Sequence, residues 1–206
     1  LLALEDNYKL PDMIVSTEYL NFNDQKFSKS KGIGMTILDA IEELNVDTLR
    51  LHLIKNGPER KDTNFTIEDY KATHNEITNK LGNFVNRTLK FKGLDEILLG
   101  IMDTQMKEKI DETYKEVSEY IESLEFKKAC SKIIELIEMG NKYYDERKPW
   151  IQKRENIEEF NNTIYTCTNI IANLSNLIEP IMPQTSKRLR EYLKIERPLW
   201  KQIQIK

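Results

Sequence analysis

Glycine and proline are scarce in this chain, 7 and 6 among 206 residues, which excludes a collagen-like or linker-rich polymer and leaves long segments without breakers. Cysteine is scarcer still. Cys130 and Cys167 stand far apart among apolar neighbours, with no C-x-x-C and no adjacent histidine, so a disulfide framework and a zinc ribbon are both excluded. Both read as buried thiols of a reducing cytoplasm, and no metal site is expected. No apolar run approaches the roughly 18 residues that a membrane crossing needs. Neither sign of charge dominates: 31 Lys and Arg against 34 Asp and Glu leave a net charge of -3, which argues against a general nucleic-acid binder and confines any such contact to local patches. The chain opens on LLALEDNYKL, with neither Met nor a charged stretch ahead of an apolar run, and reads as a piece of a longer protein rather than as a signal peptide.

What is present is mostly helical pattern, with 39% hydrophobic residues, enough for the core of one large or two small units. Thr36 is an N-cap for a short helix to Leu44. A second runs from Asp47 to Lys55 and is stopped by Asn56, Gly57 and Pro58. From Thr66 onward the chain is expected to be helical almost to its end. Thr66 and Asp69 form a capping-box-like start, and Ile67, Tyr70, Ile77, Leu81, Phe84 and Val85 follow at helical spacing. Amphipathic segments over about 103–124, 126–144, 157–178 and 184–193 complete five helices, punctuated by Pro149, Pro180 and Pro183, and five helices predict a bundle.

The pentapeptide KFSKS, Lys26 to Ser30, follows a probable strand and precedes Lys31 and Gly32. Two lysines three apart, with Ser28 and Ser30, concentrate cationic and hydroxyl donors on one short loop, which suits a polyphosphate. Lysine brings a mobile charge with three donors onto phosphate oxygens as charge builds in a transition state, and losing one such donor typically costs about 100- to 1000-fold in rate. On the pentapeptide alone, a solvated Lys/Ser turn is an equal reading.

Asn75, Asn79, Asn83 and Asn86 recur at intervals of four, four and three along the first bundle helix and so share one uncharged polar face. An amide offers a donor and an acceptor in fixed geometry and suits the reading of base edges, whereas lysine binds phosphate indiscriminately. A compositional bias toward Asn, Lys and Ile would produce the same residues. Arg147, Lys148, Lys153 and Arg154 around Trp150 form one basic patch, and Lys187, Arg188 and Arg190 another. Both patterns also suit solvated helix faces. Trp150, after Pro149, taken alone reads as core.

The segments EYLNFNDQKFSKSKG, NGPERKDTNFTIEDY, NEITNKLGNFVNR and YYDERKPW, in that order, resemble the C-terminal part of methionyl-tRNA synthetase, a class I aminoacyl-tRNA synthetase. The resemblance implies a mainly α fold. Residues 1–65 would be the end of a Rossmann-type α/β catalytic domain, with its last strand from about Ile14 to Asn23, the loop and a stem-contact region. Residues 66–206 would be a helical anticodon-binding domain. It implies ligation of methionine to tRNA(Met) with ATP and Mg²⁺ in the full-length enzyme, in the cytoplasm, with Lys26 and Lys29 catalytic and Lys26, Ser28, Lys29 and Ser30 on ATP. Asn75, Asn79 and Trp150 would read the CAU anticodon, the tryptophan by stacking, with Arg87 on the next turns a further anticodon-binding candidate in place of an Arg at 79. The chain departs from the family at Phe27, where the loop carries Met, and at Asn79, where an Arg is frequent. The H-x-G-H half of the family's active site is absent, since His52 and His74 stand in no such context. By this resemblance the chain alone is inactive, binds no cofactor tightly, and partners neither DNA nor membrane. A noncatalytic paralogue that binds tRNA or protein is the alternative reading. Trp200, with Leu199 and Pro198, is assigned to packing.

Overall fold

Asn23 and Asp24 adopt left-handed backbone angles, φ 47° and 61°, which these short polar side chains tolerate, and so close a two-residue hairpin between β1 (Leu20–Phe22) and β2 (Gln25–Lys26). The other edge of β1 pairs in parallel with β3 (Thr63–Phe65), in the register Leu20 to Thr63, Asn21 to Asn64 and Phe22 to Phe65. The computed structural model describes residues 11–28, 30–92 and 100–195. Lys29 of the KFSKS loop and Trp200 lie outside the described residues. The strand expected from about Ile14 is shorter than its pattern, because hydrogen-bonding partners begin only where the PERKDTNF stretch arrives. Glu18 N donates to the Pro58 carbonyl at 2.9 Å, Tyr19 N to Asp62 Oδ1 at 2.9 Å, and Asp24 N to Asn64 Oδ1 at 2.8 Å, while Ile14 and Val15 stay exposed.

The helices follow their caps. Thr36 starts α1 (Ile37–Glu43), Asn45 starts α2 (Val46–Lys55) and Thr66 starts α3 (Ile67–Ile77), each side chain accepting a backbone N–H three residues on. Asp103 does the same for α5 (Thr104–Glu122) and Asn156 for α8 (Ile157–Leu177). Between α3 and α4 (Asn83–Lys92) the rod widens into one π turn, Thr78–Gly82. Then come α6 (Phe126–Arg147), α7 (Pro149–Glu155) and α9 (Pro183–Leu193). The expected segments are all present. The addition is α7, seven residues between two expected segments, which Pro149 opens from the first turn, where a missing N–H costs nothing.

The core centres on α8, in which every residue from Thr163 to Leu177 is buried. Its polar residues stay satisfied by bonding back along the helix: Thr168 to the Ile164 carbonyl at 2.8 Å, Asn169 to Tyr165 at 2.9 Å and Asn173 to Asn169 at 2.8 Å. Ile164 and Leu174 of α8 are fully buried, as are Phe84, Ile110, Leu136 and Ile137 from the other helices. Gly140 permits the close approach of α6, since a Cβ there would lie 2.7 Å from the Phe84 ring.

Two helices take their caps from far away in sequence. Neither Glu125 nor Met182, the residues before α6 and α9, supplies a side-chain cap. Glu59 Oε1 instead accepts Lys127 N at 2.8 Å, and the buried Asp47 accepts Gln184 N and Thr185 N, so two carboxylates from the segment ahead of the bundle meet the exposed N–H groups and positive ends of helix dipoles. Arg50 adds hydrogen bonds to the Pro180 and Ile181 carbonyls at 2.7 and 2.9 Å, and Arg60 pairs with Glu125 at 2.9 Å. The PERKDTNF stretch thus clasps the sheet on one side and the bundle on the other.

Candidate nucleic-acid interface

The KFSKS loop is held from beneath. Ser28 and Ile33 exchange both backbone hydrogen bonds, each 3.0 Å, forming a bridge that closes the loop, and the Ser28 and Ser30 hydroxyls lie 3.3 Å apart. Phe27 packs its ring against Phe22 in a tilted contact, 5.7 Å centre to centre, and covers Gly34, whose backbone has φ 126° and where a Cβ would meet the ring at 2.5 Å. The ring therefore fills the floor that glycine leaves open. Lys26 is exposed, its Nζ 4.8 Å from the centre of the Tyr19 ring. Beyond Phe22 the aromatic contacts continue through Phe65, His52, Tyr70 and His74 into α3.

On the first bundle rod, Asn75, Asn79, Asn83 and Asn86 are all exposed, and within the described structure none of their side-chain amides is hydrogen-bonded to protein. Asn79 lies inside the π turn. The carbonyl of Lys80 in that turn is met by Asn141 Nδ2 of α6 at 2.9 Å, and the same amide donates to Ile137 O at 3.0 Å, so the widened turn is satisfied from outside the rod. Alongside, Lys80 bridges Glu76 and Glu138, each at 2.7 Å, and Lys55 also reaches Glu76. Burial would raise the Glu76 carboxyl, but the hydrogen bonds and charges of Lys55 and Lys80 prevail and hold it below the usual carboxylate range.

Trp150 occupies the first turn of α7 rather than a loop and is 44% exposed, unlike a core tryptophan. Its ring rests against Tyr144, 5.9 Å centre to centre, and the same tyrosine is met by Arg87, whose guanidinium lies 4.6 Å from the Tyr144 ring. Arg87 is not a free cation. It pairs with Asp145 at 2.6 Å and donates to Asn141 Oδ1 at 2.7 Å, while its Nε is buried without a partner. The geometry joins Arg87 to Trp150 through Tyr144 and leaves Asn75 and Asn79 on the open face of the rod.

The basic patches divide in the same way. Arg147 pairs with Asp103 at 2.9 Å, Lys153 lies over the Phe91 and Phe160 rings, and Arg190 is buried between Ser186 and Glu179. Arg188, by contrast, is exposed and has no ion pair among the described residues.

Residues 97–206 match the family described as the anticodon binding domain of methionyl tRNA ligase, and residues 1–89 match tRNA synthetases class I (M). The chain belongs to the methionyl-tRNA ligase family. A methionine--tRNA ligase of Bacillus anthracis (strain CDC 684 / NRRL 3495) is 40% identical over 197 residues, covering 93% of this chain and 36% of the relative. One of Bacillus cereus (strain G9842) is 40% identical over 195 residues with the same coverage. The chain thus spans about a third of the length of these ligases. In fold it matches Mycobacterium tuberculosis methionyl-tRNA synthetase bound by methionyl-adenylate, with a TM-score of 0.83 at 22% identity, covering 92% of this chain and 39% of that one.

The sequence carries no local signal for Tyr144 and Asn141, which support Trp150 and the π turn. Tyr144 stands inside the quoted YYDERKPW match, but its spacing to Trp150 is not helical because Lys148, with φ 50°, turns the chain between the two helices.

Proposed function

We propose that this chain is the part of a methionine--tRNA ligase that reads the CAU anticodon of tRNA(Met) and supplies the loop that closes on ATP. What supports the reading is that the Asn75 and Asn79 amides are unengaged and Trp150 is exposed, in a chain of this family. Asn75 and Asn79 present donor and acceptor to the edges of unpaired bases. Trp150 offers the stacking face, worth roughly 1 to 3 kcal/mol per base. Arg87 acts one layer beneath, holding Tyr144 against the indole.

In the complete ligase, the methionine carboxylate attacks the α-phosphate of ATP and pyrophosphate leaves; a hydroxyl of the terminal adenosine of the tRNA then takes the methionyl group and AMP leaves. Lys26 and Lys29 donate to the leaving phosphates, with Ser28 and Ser30 orienting them. Phe27, in place of Met, keeps the loop seated on Phe22 and Gly34, so this departure by itself gives no support to a noncatalytic paralogue. Mg²⁺ accompanies ATP in this chemistry. No cluster of three or more His, Cys, Asp or Glu able to hold a metal occurs among the described residues, and the reading assigns it no ligand here. Without the H-x-G-H half of the site, the chain alone does not form adenylate.

The test is equilibrium binding of this chain to tRNA with a CAU anticodon and to the same tRNA with one anticodon base changed, at fixed salt. The base change is expected to weaken binding by about 1 to 3 kcal/mol, Asn75→Ala to erase most of that preference, and Trp150→Ala to weaken both tRNAs by roughly 1 to 3 kcal/mol. Equal affinity for both tRNAs would reject the anticodon assignment.

A further inference from the structure

Between the first bundle rod and α9 runs a groove of about 680 Å³ that the anticodon reading does not use. Its floor includes Val85 and the buried Leu189, and its rim carries Asn86, Lys90, Arg188 and Tyr192. Not one Asp or Glu lines it, in a chain with more acidic than basic residues. Lys90 and Arg188 are exposed and have no ion pair among the described residues, whereas most of the cations around Trp150 and the Asn face are engaged by carboxylates or rings. Tyr192 is 54% exposed on the same rim. Asn86 belongs both to this rim and to the row of exposed asparagines, so the groove continues the face that carries Asn75 and Asn79.

We propose that this groove is a second RNA subsite, which takes one unpaired nucleotide flanking the anticodon triplet. The chemistry is complementary part by part. An apolar floor and a phenol ring receive the base, the Asn86 amide meets its edge, and two cations with no ion pair among the described residues meet the phosphate. An apolar helix face docked there would leave both cations without partners, whereas a nucleotide supplies the anion along with the apolar surface. Because Lys90 and Arg188 contact backbone, the subsite adds affinity without adding discrimination among anticodons. The inference rests on the tRNA-binding reading above.

The test uses the same chain and the same two tRNAs, with the variants Arg188→Ala, Tyr192→Ala and, as a control on the same helix outside the groove, Lys187→Ala. Tyr192→Ala is expected to weaken both tRNAs equally, by roughly 5- to 150-fold. Arg188→Ala is expected to reduce the slope of log K against log salt by about 0.7, the value for one phosphate contact on a single strand. Lys187→Ala should change neither. As a readout that needs no substitution, tRNA carrying 4-thiouridine in the anticodon loop should crosslink to the peptide spanning 181–195 of the parent chain. If the chain prefers CAU but both groove variants bind as the parent does and no such crosslink forms, the subsite is overturned while the anticodon reading stands. If the chain binds no tRNA, both fall.

Discussion

Glu59 accepts the backbone N–H of Lys127 at 2.8 Å, so α6 is capped by a carboxylate 68 positions upstream rather than by the residue that precedes it. Asp47 stands in the same relation to Gln184 and Thr185 at the start of α9. Removing a capping side chain costs about 0.5 to 2 kcal/mol, and Glu59→Ala is expected to fall in that range. Asp47 is only 2% exposed and serves two N–H groups, so Asp47→Ala should cost about 1 to 3 kcal/mol. Urea unfolding midpoints decide it. Residues 66–206 prepared without the preceding segment lose both carboxylates and are expected to unfold at lower urea than the whole chain. Equal stability would support an independent boundary at 65/66.

Much of the fold could be read from local signals. Thr36, Thr66 and the proline positions mark helix ends that the structure places within a few residues of expectation, because a cap or a breaker acts on its own neighbours. Glu59 and Asp47 carry no such signal, since their partners are brought to them only by packing. The candidate site divides similarly. Exposure of the asparagine row follows from spacing, whereas the engagement of Arg87 by Asp145, Asn141 and Tyr144 depends on where α6 lies.

Gly34→Ala tests the seat of the KFSKS loop. A methyl group there meets the Phe27 ring at 2.5 Å on a backbone of φ 126°, so the ring must leave Phe22 or the loop must shift. Tryptic cleavage after Lys31 is expected to accelerate while the helical circular dichroism is unchanged. Gly32→Asn, at φ 63° with no heavy atom nearby, should leave the cleavage rate near the parent value.

The two thiols should be silent in the folded chain. Burial pushes Cys130 and Cys167 up to about 12, leaving roughly a thousandfold less thiolate at a given pH than an exposed cysteine has. With a disulfide reagent at pH 8, neither is expected to react until urea unfolds the protein, whereupon two equivalents should titrate. Prompt native reactivity at either position would contradict the packing around α8.

His52 gives stability a pH dependence. Burial disfavours its charged form and, helped by Lys55, outweighs the attraction of Asp69, so its folded pKa lies below 6.5. Above that value both folded and unfolded states hold it neutral and its contribution is complete. As the pH falls below it, the unfolded state takes the proton first and stability declines. The unfolding midpoint should therefore drop between pH 7 and 5, and His52→Gln should flatten that drop. A parent midpoint that rises toward pH 5 would reverse the assignment.

The π turn at Thr78–Gly82 amounts to one residue inserted into an otherwise continuous helix. Each residue of an α-helix turns the chain by about 100°. Deleting one residue there would regularise the rod and swing everything after it by about that angle. Arg87 would leave Tyr144, and Asn86 would leave the wall it shares with α9. Insertions and deletions at this turn are therefore edits to the interface itself, able to re-aim its second half without altering one of its residues.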